Sequence, residues 1–346
     1  MSLLDVRDLD VWFARPNGGE LHVVQGVSFR LEEGERFGLV GESGCGKSTT
    51  ILALMGLLPP SALVAGEVLL HGEPILAGEE SSIRKHRWCD IAMVFQSAMN
   101  ALNPVKKVLW QVVEPMEFHG IASGNDARRR ALELFELVGI PAEASQRYPH
   151  ELSGGMRQRA AIAMALACRP KILLADEPTT ALDVMVQAQI LDLLIRLTAE
   201  LGLALVLVTH DLPVVAEVCQ RAAVMYAGKI VEAGPTEELF HSPRHPYTRL
   251  LFAATPDLHG TADVLSIPGA PPRLDRAIVG CAFRPRCDSA FDRCAADRPL
   301  LATVGSGHQA ACHLNDLSLE RASGRGPARA VDQRSALAHA EDGGQP

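Results

Sequence analysis

Gly41-Glu-Ser43-Gly44-Cys45-Gly46-Lys47-Ser48 has the spacing G-x-x-x-x-G-K-[ST], in which successive backbone N–H groups curl around an anion. Glycines permit the turn, and a helix opening at Lys47 adds partial positive charge beneath a phosphate. Lys47 is expected to reach the β- and γ-phosphates of a nucleoside triphosphate. The Ser48 hydroxyl is expected to ligate Mg²⁺, and Thr49 to add a phosphate contact. Gly41, Ser43, Gly44, Cys45 and Gly46 complete the nucleotide-binding set, Cys45 as a small filler. A second feature is Asp176-Glu177, which ends the apolar run Lys171-Ile-Leu-Leu-Ala175. A carboxylate at the end of a parallel strand beside such a loop can hold the Mg²⁺ shell, which assigns Asp176. Glu177 faces elsewhere and is a candidate general base toward a hydrolytic water. Two acids closing a strand are often only solvated; the phosphate loop gives this pair its meaning.

The third cluster is Cys281-x5-Cys287-x6-Cys294-x17-Cys312 in a Pro-rich region. A chain in a reducing compartment does not use such thiols as structural disulfides, so a metal site is the first reading. Tight zinc knuckles favour C-x₂₋₄-C pairs, and none occurs here. The wider spacing suits a Cys₄ iron–sulfur cluster better; zinc and unliganded buried thiols stay open. Arg284, Arg286 and Arg293 interleave the cysteines, either to offset thiolate charge or as solvated side chains.

These residues need a parallel sheet to hold them. Residues 36–40, 91–95, 171–175 and 204–208 read as strands, the last two as near-continuous apolar runs covered on both faces. A helix is expected over 47–56. Asp126–Val138 and Ser153–Ala167 have helical periodicity and read as a helical insertion in the sheet. Val224–Val231, with its Ala-Gly centre, reads as a hairpin.

Leu152-Ser153-Gly154-Gly155-Met156-Arg-Gln-Arg159 precedes a helix, and here the sequence resembles the ABC-transporter ATPases. Their signature is of the Leu-Ser-Gly-Gly-Gln type; Met156 departs from it as peptide-importer members commonly do. The resemblance implies that Ser153, Gly154 and Gly155 bind the γ-phosphate of an ATP held by the opposite protomer. It further implies that Gln96 is the glutamine contacting Mg²⁺ and the attacking water, His210 the switch histidine, Asp183 the aspartate at the dimer contact, and Phe13 the aromatic stacked on adenine, with Trp12 as its nearest competitor. The implied fold is α/β: a P-loop NTPase ABC ATPase domain with a RecA-like parallel sheet core, an antiparallel β subdomain and an α-helical subdomain, plus a small Cys-rich C-terminal extension. Gly41-Glu-Ser-Gly, Phe95-Gln96-Ser-Ala-Met-Asn-Ala-Leu-Asn103-Pro104 and His245-Pro246-Tyr247-Thr248 resemble the dipeptide, oligopeptide and nickel importers, whose members with this extension carry a [4Fe–4S] cluster. His245–Thr248 reads as a turn joining two modules. Asn100, Leu102 and Pro104 are candidates for a permease-facing surface.

The expected function is hydrolysis of ATP, with Mg²⁺, to power an importer of di- or oligopeptides. Nickel, glutathione and oligosaccharides are alternative cargoes. A soluble ABC ATPase outside transport and an exporter ATPase are rival classes. Expected partners are a second, related ATPase chain, two integral-membrane permeases and, through them, an extracytoplasmic binding protein. Peripheral attachment at the cytoplasmic face of the inner membrane follows. The 346 residues, 47% apolar, carry a formal net charge of −8, which argues against nucleic acid. The acidic N-terminus lacks a signal-peptide pattern, and no long uncharged apolar window spans a bilayer. The expected organisation is a nucleotide-binding domain over 1–255, with its helical subdomain at about 97–168, an extension over 256–314 with the four cysteines, and a polar, disordered tail over 315–346.

Overall fold

The computed structural model describes residues 2–15, 18–75, 80–96, 101–254, 267–276 and 278–316. β1 (Leu4–Ala14) and β2 (Glu20–Leu31) form a long antiparallel ladder. β3 (Arg36–Val40) runs through the phosphate loop into α1 (Lys47–Leu54). β4 (Ala62–Leu70), β5 (Glu73–Pro74), α2 (Glu80–Arg84) and β6 (Ile91–Val94) follow. Then come α3 (Val108–Phe118), α4 (Gly124–Leu137) and α5 (Gly154–Ala165), β7 (Ile172–Asp176), α6 (Val184–Leu201), β8 (Ala204–Thr209) and α7 (Leu212–Val218). The hairpin β9 (Arg221–Tyr226) and β10 (Lys229–Pro235) leads to α8 (Thr236–His241) and α9 (Pro246–Ala253). The extension holds α10 (Arg293–Ala296), β11 (Ala302–Gly305) and β12 (His308–Ala310).

Two sheets result. One is antiparallel, in the order β2-β1-β4-β5. The other has the order β11-β12-β10-β9-β3-β8-β7-β6, with β9, β3, β8, β7 and β6 parallel. Every residue of β7 and β8 is buried, which is why both read as unbroken apolar runs. The carboxyl ends of β3 and β7 therefore open on the same edge, where the phosphate loop and Asp176-Glu177 lie.

α3, α4 and α5 form the helical insertion. In α4, Ala127, Ala131 and Phe135 recur every fourth residue and are buried, while the charges between them face water, the pattern of an amphipathic helix. Leu102 belongs to this helical core and is only 4% exposed. It is thus not a surface residue as expected, because the loop before α3 folds its apolar side chain inward. Pro104 is exposed, and Asn100 lies outside the described residues.

The extension is less separate than its composition suggests. β12 pairs with β10 through Glu232↔Ala310 and Ala233↔Gln309, and Phe283 joins the core of the helical and sheet layers. Buried Glu232 accepts hydrogen bonds from the N–H groups of Arg244 and His245 at 2.6 and 3.0 Å and lies 2.7 Å from His308 Nε2. Residues 317–346 of the expected tail lie outside the described residues.

Candidate active site

The phosphate loop is held open by contacts that exclude side chains. Gly41 has φ 149°, and a Cβ there would lie 2.2 Å from the Met225 carbonyl oxygen and 2.9 Å from Cys45 Sγ. Gly46, at φ 108°, caps α1 in the left-handed region. Lys47 is 5% exposed; its Nζ donates to the carbonyls of Gly41 and Glu42 at 2.7 and 3.1 Å and sits 3.8 Å from Cys45 Sγ. Burial pushes the Cys45 thiol up, so it stays neutral beside the ammonium. Ser43 and Gly44 are exposed at the loop's crest, and Ser48 and Thr49 are half-buried.

Ser48 Oγ donates to Asp176 Oδ1 at 3.1 Å, so the two expected Mg²⁺ ligands are in contact. Asp176 is 4% exposed. Burial pushes its carboxyl above the usual range and the Glu177 charge adds to this, against the Ser48 hydrogen bond and Lys47. A hydroxyl beside a carboxylate short of positive charge is a fitting oxygen pair for a hard divalent cation.

Glu177 is the hub of the site. Its backbone has φ 44°, which turns its side chain away from that of Asp176. Oε2 accepts from Gln96 Nε2 at 2.8 Å and from the Thr180 hydroxyl at 3.0 Å. Oε1 lies 3.2 Å from His210 Nδ1. Burial pushes the Glu177 carboxyl up, but hydrogen bonds from His210 and Thr180 and the charges of His210 and Lys47 outweigh it, leaving it below its ordinary value. The carboxylate is therefore ionised at neutral pH. His210 is 64% exposed and Glu177 15%, so one face of the group opens to solvent.

Other expected residues sit apart from this hub. Ser153 caps α5, its Oγ accepting from Met156 N–H at 3.3 Å. Asp183 caps α6 in the same way, accepting from Val186 N–H at 3.0 Å. Gly155 packs on α6, where a Cβ would lie 2.7 Å from Val186 Cγ1. No described hydrogen bond joins Ser153, Gly154, Gly155 or Asp183 to Lys47, Ser48 or Glu177. Val184 and Met185, after Asp183, are 79% and 72% exposed. Trp12 stacks on His22 with centroids 4.5 Å apart. Phe13 leans on the core of the antiparallel sheet and pairs in register with Leu21. Leu21 in turn lines a cavity of about 430 Å³ with Glu42, Ser43, Gly44 and Cys45.

Cys281, Cys287, Cys294 and Cys312 all line one small cavity, together with His245, Phe283 and His313. Burial pushes the Cys312 thiol up to about 12, and the neighbouring thiols add to this. Among the described residues no group of three or more His, Cys, Asp or Glu side chains is arranged to hold a single metal ion.

Two functional contacts escape a reading by motif. Thr180 stands three residues after Glu177, a spacing that by itself signals no contact, and the turn between them brings its hydroxyl to Glu177 Oε2. Tyr247, in the segment read as a joining turn, is fully buried, and its Oη accepts the Glu42 N–H at 2.9 Å. That segment therefore reaches the phosphate loop itself.

The family model "ABC transporter" matches residues 24–180, and "Oligopeptide/dipeptide transporter, C-terminal region" matches 231–294. The chain is 49% identical to a probable peptide ABC transporter ATP-binding protein of Sinorhizobium fredii, over 90% of this chain and 94% of that one. It is 45% identical to the dipeptide transport ATP-binding protein DppD of Escherichia coli, covering 90% and 97%. Among solved structures, the post-hydrolysis dimer of the ATP-binding cassette MJ0796 bound to ADP and Pi aligns with a TM-score of 0.60 at 31% identity, covering 67% of this chain and 98% of that one.

Proposed function

This chain belongs to the ABC-transporter ATPases, and we propose that it powers an importer of di- or oligopeptides by closing on ATP against a second, related ATPase chain. It is a transport ATPase: it binds ATP and hydrolyses it to ADP and phosphate. The observation that carries the catalytic assignment is the convergence of Gln96, Thr180 and His210 on Glu177, beside the Ser48–Asp176 contact. The peptide cargo is supported by the matched C-terminal region and by the relatives' names.

In this reading the loop from Gly41 to Gly46 cradles the phosphates with main-chain N–H groups, and Phe13 stacks on the base. Lys47 exchanges its carbonyl partners for phosphate oxygens. Ser48, Asp176 and Gln96 would hold Mg²⁺, which would supply positive charge to offset that of the triphosphate. Glu177 takes a proton from the attacking water, and His210 steadies the γ-phosphoryl group. Ser153, Gly154 and Gly155 reach the ATP of the opposite subunit through the helix end of α5, next to Asp183 at the contact. The exposed Val184 and Met185 and the separation of this edge from the chain's own phosphate loop support action in trans. ATP then favours the closed pair over the open one, which is what converts binding into movement.

Permease subunits and a substrate-binding protein complete such an importer. No described helix is long and apolar enough to cross a membrane; we place the chain peripherally, on its permeases at the cytoplasmic face of the inner membrane. A groove of about 320 Å³ lined by Trp88, Glu114, Phe118 and His119 lies beside the helical insertion, and Phe118 is 72% exposed; these residues suit the permease contact better than Leu102. Purification of the tagged chain from membranes should bring integral-membrane permeases and show Mg²⁺-dependent ATP binding. Recovery with no membrane partner, ATP bound or not, would remove the transport reading.

The four cysteines are read as ligands of a [4Fe–4S] cluster. Support comes from their lining one cavity and from their wide spacing. When bound, the cluster would displace four thiol protons and tie four chain segments covalently. Protein purified without oxygen is expected to be brown, with broad absorbance near roughly 400 nm. A colourless preparation holding one zinc per chain would replace the cluster with zinc.

A further inference from the structure

The phosphate loop contains a carboxylate that its chemistry does not call for. Glu42 is the loop's second residue, and a negative side chain there opposes the binding of a triphosphate. The structure compensates it from far along the chain. Arg286 Nη1 donates to Glu42 Oε2 at 2.7 Å, and Nη2 to Oε1 at 2.8 Å. This is the parallel, two-pronged pairing that guanidinium makes with carboxylate. The side chains are 5% and 22% exposed, so water screens the pair weakly. Arg286 is itself fixed, its Nε donating to the Pro268 carbonyl at 2.8 Å and Nη1 reaching Tyr226 Oη at 3.3 Å. It ends the short turn Arg284–Arg286, which packs its neighbour Phe283 against Tyr226 and Tyr247.

We propose that Arg286 is a positioning residue for ATP, supplied by the C-terminal extension: it neutralises Glu42 so that the phosphate loop presents no net negative side chain to the triphosphate. The extension thereby sets the nucleotide affinity of its own chain. This rests on the ATP-binding reading above and adds a residue to that site. It also gives one of the arginines between the cysteines a task other than offsetting thiolate charge.

The test measures the dissociation constant for MgATP on the full chain, with thermal unfolding alongside. Arg286→Met leaves Glu42 charged and is expected to weaken MgATP about tenfold, the scale of one uncompensated charge at several ångströms. Adding Glu42→Gln removes that charge, so the double variant should return to within about threefold of wild type. Glu42→Gln alone keeps one hydrogen bond to Arg286 and should bind at least as well as wild type, a readout that survives if Arg286→Met fails to fold. Unchanged affinity in Arg286→Met, a double variant as weak as Arg286→Met, or a tenfold loss in Glu42→Gln each overturns the proposal. If wild type itself fails to bind MgATP, the nucleotide reading falls rather than the pair.

Discussion

Glu177→Gln should cut ATP turnover about a thousandfold, within the range a positioned general base supplies, while MgATP binding stays intact. The change is nearly isosteric. One amide oxygen can still accept from Gln96 and Thr180, and the amide N–H can donate to His210 Nδ1, so the three partners seen at 2.8 to 3.2 Å keep their places. What is lost is the lone pair that takes a proton from water. Because the carboxyl lies below its ordinary value, wild-type turnover should not fall through loss of this base anywhere between pH 6 and 8. Phosphate release and nucleotide binding measured on the same preparation check the claim. Turnover within threefold of wild type would remove Glu177 as the base.

The second large effect separates two glycines of the phosphate loop, Gly41 at a fixed position of the motif and Gly44 at a variable one. Gly41→Ala drives a Cβ to 2.2 Å from a backbone oxygen on β9 and 2.9 Å from Cys45. Backbone cannot yield cheaply there, so a stability loss of about 3 kcal/mol or more is expected, together with loss of nucleotide affinity. Gly44→Ala meets nothing within 4 Å and carries only the cost of φ 78°, about 1 kcal/mol. Urea midpoints of the two variants decide it; equal losses would mean that the close approach at Gly41 relaxes freely.

Much of this was legible in the residues. The strands at 36–40, 91–94, 172–176 and 204–209 and the hairpin around Ala227-Gly228 lie where apolar runs and turn chemistry put them. Such runs have few alternatives: a segment that must bury both faces between helices can only be a central strand. Side-chain direction was harder. The pairing of Asp176 with Ser48 was foreseeable, but the contact of Thr180 with Glu177 depends on a left-handed backbone at Glu177 that an acidic residue does not advertise. Leu102 was a surface candidate only by its place in the segment after Gln96, and one inward turn of a loop buries it. Tyr247 and Arg286 were invisible as site residues for another reason. Their partner Glu42 lies about two hundred positions or more away, and one sequence carries no record of such pairings.

The pairing of β12 with β10 has a consequence for how the chain is made. β10 leaves the ribosome well before β12, and until the extension arrives its outer edge offers unpaired N–H and C=O groups. Glu232, whose hydrogen bonds come from Arg244, His245 and His308, meanwhile lacks its last partner. Nascent chains stalled between Pro235 and His308 would thus be the ones most prone to stick to one another, and completing the C-terminus is what makes the sheet safe.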